Sequence, residues 1–287
     1  MAIEVRSTRV AETETAMAFN PAFGKNAFAQ TPVGAPPAPT AEQRQNMTAQ
    51  QLQDLYSQPA ATPVETERMS YDDVIMKTAI TLGVVLVGAV IGWFNPMLAI
   101  PAAIIAIVLA LVNIFKKVPS APLVIAYAFF EGIFVGGITY FVEVGFNQPG
   151  IALQAVTGTA LVFIVTLLLF RAGKVRESKR ATKVFMIAGI AYAAFSLVNL
   201  VVMLTGVNQD PWGLRSQEVF GIPLGLLIGP LVILLAAYSL VMDFTDIKRG
   251  VDAGAPRNYA WRAVFGLVLT IVWLYLEILR MLSLFRQ

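Results

Sequence analysis

From Val74 onward the chain is written in seven long runs of apolar residues, near 74–94, 97–115, 121–143, 151–170, 183–206, 219–243 and 260–284. At about 1.5 Å per helical residue, each run is long enough to cross a hydrocarbon core of roughly 30 Å. Short polar breaks separate them: Asn95-Pro96, then 116–119, 147–150, 171–183, 208–218 and 245–258. No run alternates apolar and polar positions with period two, which argues against a β-barrel. The pattern predicts an all-α membrane protein, a seven-transmembrane-helix bundle. Its first helix opens at Ser70, where Ser-Tyr-Asp-Asp sets a hydroxyl at the N-cap and Asp73 three residues on, as in a capping box. Asp72 and Asp73 also suit the positive end of that helix.

The first 70 residues read differently. They hold 7 of the 16 prolines and 12 of the 39 charged residues, with no sustained apolar period. A stretch such as 31–40 (TPVGAPPAPT) buries too little apolar surface to offset chain entropy, so residues 1–69 are expected to form a disordered N-terminal tail. Residues 70–287 form the membrane domain. A signal peptide is not expected, because the first apolar run begins only after Val74. The one aromatic patch of the tail, 19–28 (FNPAFGKNAF), is either incidental or a docking motif for a partner or the membrane surface.

Composition narrows the chemistry. Hydrophobic residues make up 57% of the chain and charged ones 14%, against about 25% charged in a soluble domain, so the bilayer itself is the first partner. Cysteine and histidine are absent, which excludes disulfides, thiolate chemistry, Cys/His zinc sites and a histidine pH switch. Any proton chemistry must run on carboxylates. No HExxH, GxSxG or P-loop pattern occurs, and an enzyme is not expected. The basic residues set a topology. Twelve lysines and arginines fall in or beside the second, fourth and sixth breaks, whereas the first and third have none and the fifth has only Arg215. By the positive-inside rule the N-terminus is cytoplasmic and the C-terminus external. That rule accounts for the basic 171–183 segment, and no nucleic-acid footprint accompanies it.

A few polar residues fall where lipid is expected. A central Asp costs about +2.5 to +3.5 kcal/mol on insertion scales. Glu131 lies near mid-depth of the third run, with Tyr127 one turn back as a possible donor. It reads either as a protonated acid bridging helices or as a titrating or ion-coordinating group. Asp243 and Asp246 lie at the end of the sixth run, either as a solvated helix end paired with Lys248 and Arg249 or as titrating groups. Glu277 and Arg280, three apart in the last run, suit an internal pair. Gly132 and Gly136 give a small-xxx-small contact, as do Gly88 and Gly92. Gly221, Gly225 and Gly229 are expected to form a packing stripe along the sixth helix, with Pro223 and Pro230 interleaved.

The order of these features resembles the Bax inhibitor-1 family (transmembrane BAX inhibitor motif proteins), in its bacterial YccA-like branch, over about residues 70–287. The residues that carry the resemblance are Glu131-Gly132, Asp243-Phe-Thr-Asp-Ile247, and 254–261 (GAPRNYAW) leading to 273–280 (WLYLEILR). The resemblance implies six helices around a central last one, in a bacterial plasma membrane. It implies a pH-sensitive calcium leak in which two aspartates on the last two helices share protons. Asp243 matches the first. The second corresponds to Glu277 by its Leu-Tyr-Leu motif, or to an apolar residue near Leu267 in an ungapped match. The broader expectation is that Asp243, with Glu131 or Glu277, couples protonation to helix packing. No resident cofactor is expected, and calcium enters only as the ion carried or bound. The alternative is a non-transporting stress regulator that modulates a membrane-bound quality-control protease, using the tail to reach its partner.

Overall fold

The computed structural model describes residues 67–116, 120–206 and 210–286. The expected disorder of the tail, its 19–28 patch and part of the second break lie outside the described residues. Seven helices follow in chain order: α1 Tyr71–Phe94, α2 Ala99–Phe115, α3 Ala121–Tyr140, α4 Ile151–Arg171, α5 Lys179–Leu204, α6 Leu224–Asp252 and α7 Ala260–Phe285. Each is the core of a segment long and apolar enough to cross a membrane. The all-α, seven-span architecture read from hydropathy is the one observed.

Local chemistry explains most helix ends. Ser70 accepts a hydrogen bond from the Asp73 backbone N–H at 3.2 Å and caps α1. The Asp73 carboxylate does not complete the box; it pairs instead with Lys77 and Arg257. Pro96 ends α1 and starts the short 3-10 turn Pro96–Leu98. Glu143, at the end of α3, accepts from the backbone N–H groups of Gly150 and Ala152, both at 3.0 Å, and so supplies a carboxylate to the positive start of α4. Ser178 caps α5 through the Ala181 N–H.

The sixth helix departs from expectation at both ends. Before it, β1 (Glu218–Val219) and β2 (Ile222–Pro223) pair as a minimal antiparallel hairpin. Phe220 and Gly221 turn it, both with positive φ (56° and 78°), as a two-residue hairpin loop requires. Gly221 therefore lies in a turn, with nothing within 4 Å of where its Cβ would be, and takes no part in helix packing. Gly225 and Gly229 do meet α7, against Leu284 and Met281. At its other end α6 runs on to Asp252. Asp243 thus lies nine residues inside the helix, about 14 Å from its end, rather than at a solvated terminus.

Helix α7 is the centre of the bundle. It packs against α1, α3, α4 and α6, while α2 lies on α3 and α5 touches mainly α6 and the 3-10 turn Gly213–Ser216. The tightest crossing joins α1 and α3. A Cβ on Gly88 or Gly92 would strike backbone of α3, and one on Gly132 or Gly136 would strike backbone of α1 at Val85 or Ala89. The two small-residue patterns are two halves of one contact, with the backbones touching.

The hydrogen bonds also sort the two ends of the bundle. At one end Met69 donates its N–H to Ala255 O (2.7 Å), Arg257 donates to Glu67 O (2.8 Å), and Arg262 reaches Lys116 O (2.9 Å). At the other end Gln148 donates to Ser283 O (3.0 Å) and Arg286 to Pro149 O (3.1 Å). These pairings place breaks two and six together at one end and break three with the C-terminus at the other, as alternating spans demand.

Filling the α1–α3 crossing is therefore expected to be destabilising. Gly136→Val should cost about 1–3 kcal/mol, since the added atoms meet backbone that cannot retreat without parting the helices. Thermal unfolding of the detergent-solubilised protein measures it. Gly83→Ala, on the open side of α1 with nothing within 4 Å, should leave the melting temperature unchanged or raise it.

Candidate functional site

Polar side chains inside the bundle gather in two clusters, with one acid apart from both. We label as inner the cluster on the α6–α7 seam, toward the bundle end that holds breaks two and six, and as outer the one toward the C-terminus. Asp243 is 0% exposed, and Thr270 of α7 donates its hydroxyl to Asp243 Oδ2 at 2.7 Å. Because Thr270 has one proton to give, the 3.2 Å contact with Ser239 has Ser239 as donor. The chain Ser239 to Thr270 to Asp243 runs from one helix to the other and back. One turn beyond, the buried Asp246 accepts from Arg249 at 3.2 Å, while its Oδ2 is sealed without a hydrogen-bond partner. Arg249 also pairs with Glu177, from the connection before α5, at 2.8 Å. That contact is close but misaligned, since Glu177 Oε2 gains no hydrogen bond from it. We treat it as an ion pair held by charge.

The outer cluster joins α7 to α5. Glu277, 5% exposed, receives two hydrogen bonds from Arg280 at 3.1 Å each, one from Trp273 at 3.3 Å, and a short one from the Tyr192 hydroxyl of α5. Arg280 also donates to Tyr192 at 2.8 Å. Arg215, from the turn before the hairpin, reaches in and donates to Tyr192 (2.9 Å) and Ser196 (2.8 Å). Burial, and the Arg280 charge after it, lower the Arg215 pKa from its usual range. Asn199, the one buried residue of α5, accepts the Leu214 N–H at 2.7 Å.

Glu131 stands apart. It has no hydrogen bond or ion pair among the described residues, and Tyr127 does not donate to it; the Tyr127 ring packs edge-on against Phe265 instead, at 5.0 Å. Glu131 and Thr270 each lie ten residues into their helices, both about 15 Å from the same end, so Glu131, Thr270 and Asp243 share one depth.

The expected residues therefore divide. Glu277 and Arg280 are paired with each other. Asp243 and Asp246 are neighbours on α6. Asp243 and Glu277 are not brought together: Glu277 lies seven residues beyond Thr270, about 10 Å further along α7, outside the ∼4–6 Å within which two acids share a proton. The α7 side chain that donates to Asp243 is Thr270. Among the described residues, no group of three or more acids is placed to hold a metal ion.

Tyr192, Arg215, Thr270 and Glu177 were not singled out from the sequence. One signal pointed to the first. Tyr192, Ser196 and Asn199 recur at i, i+4 and i+7, a polar stripe on an otherwise apolar helix. Thr270 carried no signal, because a lone threonine in a span usually bonds its own backbone.

Removing the hydroxyl that serves Asp243 leaves a buried acceptor short of a donor. Thr270→Val should therefore cost about 1–3 kcal/mol, and Thr270→Ser should recover most of it. Arg280→Met strands Glu277 and should cost about 3–5 kcal/mol. Unfolding midpoints compared at fixed detergent and pH measure both.

A family model described as Bax inhibitor 1 like matches residues 20–287. Residues 20–69, read from the sequence as outside the resemblance, fall within the matched region. Neither the curated proteins nor the solved structures yield a match.

Proposed function

The chain belongs to the Bax inhibitor 1 like family, and from that premise we propose that it is a non-enzymatic, pH-sensitive calcium leak whose titrating element is Asp243 on the α6–α7 seam. One observation carries the reading: a carboxylate with no exposure, about 14 Å inside a membrane-spanning helix, whose hydrogen bond comes from a neutral hydroxyl. At that depth the charged form of the acid is disfavoured, and a proton or a nearby cation stabilises the group. When ionised, Asp243 accepts from Thr270. When protonated, it becomes a donor, and the Ser239–Thr270 chain must turn round or break. Since that chain ties α6 to α7, protonation acts on how the two helices pack.

Asp246 and Glu177 extend the same site. With Arg249 they set two carboxylates against one guanidinium at the inner end, leaving oxygens for a hard cation on its way through. Calcium is the substrate in this reading, not a resident ligand. Glu277 does not reach Asp243, so in this reading Asp243 titrates without it. The membrane is the bacterial plasma membrane, with breaks two, four and six on the cytoplasmic side.

Two measurements test this. Calcium flux into proteoliposomes across pH should depend on pH in the wild type and lose that dependence in Asp243→Asn. An unchanged flux and pH profile would remove Asp243 from the mechanism; no flux in any form would favour the regulator, in which loss of the tail abolishes capture of a membrane protease. For orientation, the natural absence of cysteine allows single-cysteine labelling. Ser178→Cys should react with an impermeant maleimide only after the cytoplasmic face is opened, and Asn147→Cys in intact cells. The reverse result would invert the topology.

A further inference from the structure

The outer cluster does not balance its charge. It holds two guanidiniums, Arg215 and Arg280, and one carboxylate, Glu277, whose two oxygens are both engaged by Arg280. Arg215 is 6% exposed and forms no ion pair among the described residues; its neighbours are the Tyr192 and Ser196 hydroxyls and the faces of Tyr192 (5.4 Å) and Phe195 (5.1 Å). Both of its hydrogen bonds leave from Nη2. Its Nε is sealed and has no acceptor, and so is the hydroxyl of the adjacent Ser216. A buried charge is costly unless paired. Water would satisfy the two orphan groups, yet it would leave the excess positive charge where it is.

From this we propose that the outer end of the bundle carries an oxyanion-binding site built on Arg215 and Ser216, with Arg280 adding charge, and that it takes a phosphate group. With both Nη2 hydrogens serving Tyr192 and Ser196, the orphan Nε–H supplies one charged donor to a phosphate oxygen and the Ser216 hydroxyl a second. The level suits this ligand. Arg215 sits between the end of α5 and the start of α6, where the hydrocarbon core gives way to headgroups. The packing suits it as well: α5 is joined to α7 here by polar side chains rather than by close packing, and Asn199 is its one buried residue. The phosphate comes either from an anionic phospholipid headgroup or from solution. The site goes beyond the leak mechanism and does not depend on it.

Native mass spectrometry of the full chain, released from detergent, tests the proposal with three probes used separately: dioleoylphosphatidylglycerol, inorganic phosphate and dioleoylglycerol. Saturable retention of the phospholipid but not of dioleoylglycerol identifies a headgroup site. Saturable retention of inorganic phosphate alone identifies a free-anion site. In either case Arg215→Gln should weaken binding about tenfold or more, the worth of a charged hydrogen bond. Glu277→Gln, which removes the carboxylate that the described residues place in this cluster, should tighten it, an effect that a purely structural role would not produce. Should Arg215→Gln fail to fold, the Glu277→Gln comparison decides. Retention of neither phosphate-bearing probe, equal retention of dioleoylglycerol, or binding indifferent to both substitutions overturns the proposal.

Discussion

The hydrocarbon core of a bilayer offers no hydrogen bonds, so a polar side chain carried into it is costly unless it finds a partner on the protein or gives up its charge. That constraint organises this bundle. Asp243 is answered by Thr270 across the α6–α7 seam, Glu277 by Arg280 within α7 and by Tyr192 on α5, and Asn199 by the backbone before the hairpin. In water each contact would contribute little. In lipid the unpaired alternative is expensive, and each contact fixes which helix lies beside which.

Two kinds of helix contact follow. Where side chains are small, as between α1 and α3, the backbones meet at Gly88, Gly92, Gly132 and Gly136, and packing holds the pair. Where polar groups must be satisfied, as between α5 and α7, the helices stand further apart and side chains bridge the gap. Helix α5 has almost no buried surface of its own, so the Tyr192, Ser196 and Asn199 stripe does for it what glycine does for α1. A helix held by directional bonds can be released by changing a charge state, whereas one held by packing cannot.

The spans were legible because hydrophobicity over twenty residues is a local quantity. Six of the seven ended near the expected breaks. The exception was α6, where Gly221 looked like the start of a glycine stripe but serves a hairpin, and where Asp243 looked like a terminus because charged residues follow it. Those residues are helical too, and four of them, Asp246, Lys248, Arg249 and Asp252, pair with one another along the same turns. The acids of the site were visible as isolated charges in apolar runs, but their partners were not. Thr270 lies 27 residues from Asp243 and Tyr192 lies 85 from Glu277, and no local pattern carries information over such separations.

The identity of the partner changes the chemistry more than its distance does. Two carboxylates in contact titrate as a unit, sharing one proton over a wide range of pH, and the charge between them never falls to zero until that proton is joined by a second. A carboxylate against a hydroxyl chain has no such intermediate. Asp243 is either charged or neutral, and Thr270 and Ser239 can only reverse their donors to follow it. In the proposed mechanism the seam between α6 and α7 has two hydrogen-bonded arrangements, separated by one proton. Further along α6 stand Asp246 and Arg249, with Glu177 paired to the same arginine. A response to pH in this chain would then be governed from the inner end of the bundle, where the carboxylates face a single, half-exposed arginine, and not from the outer cluster, whose one acid is already bound by Arg280 and Tyr192.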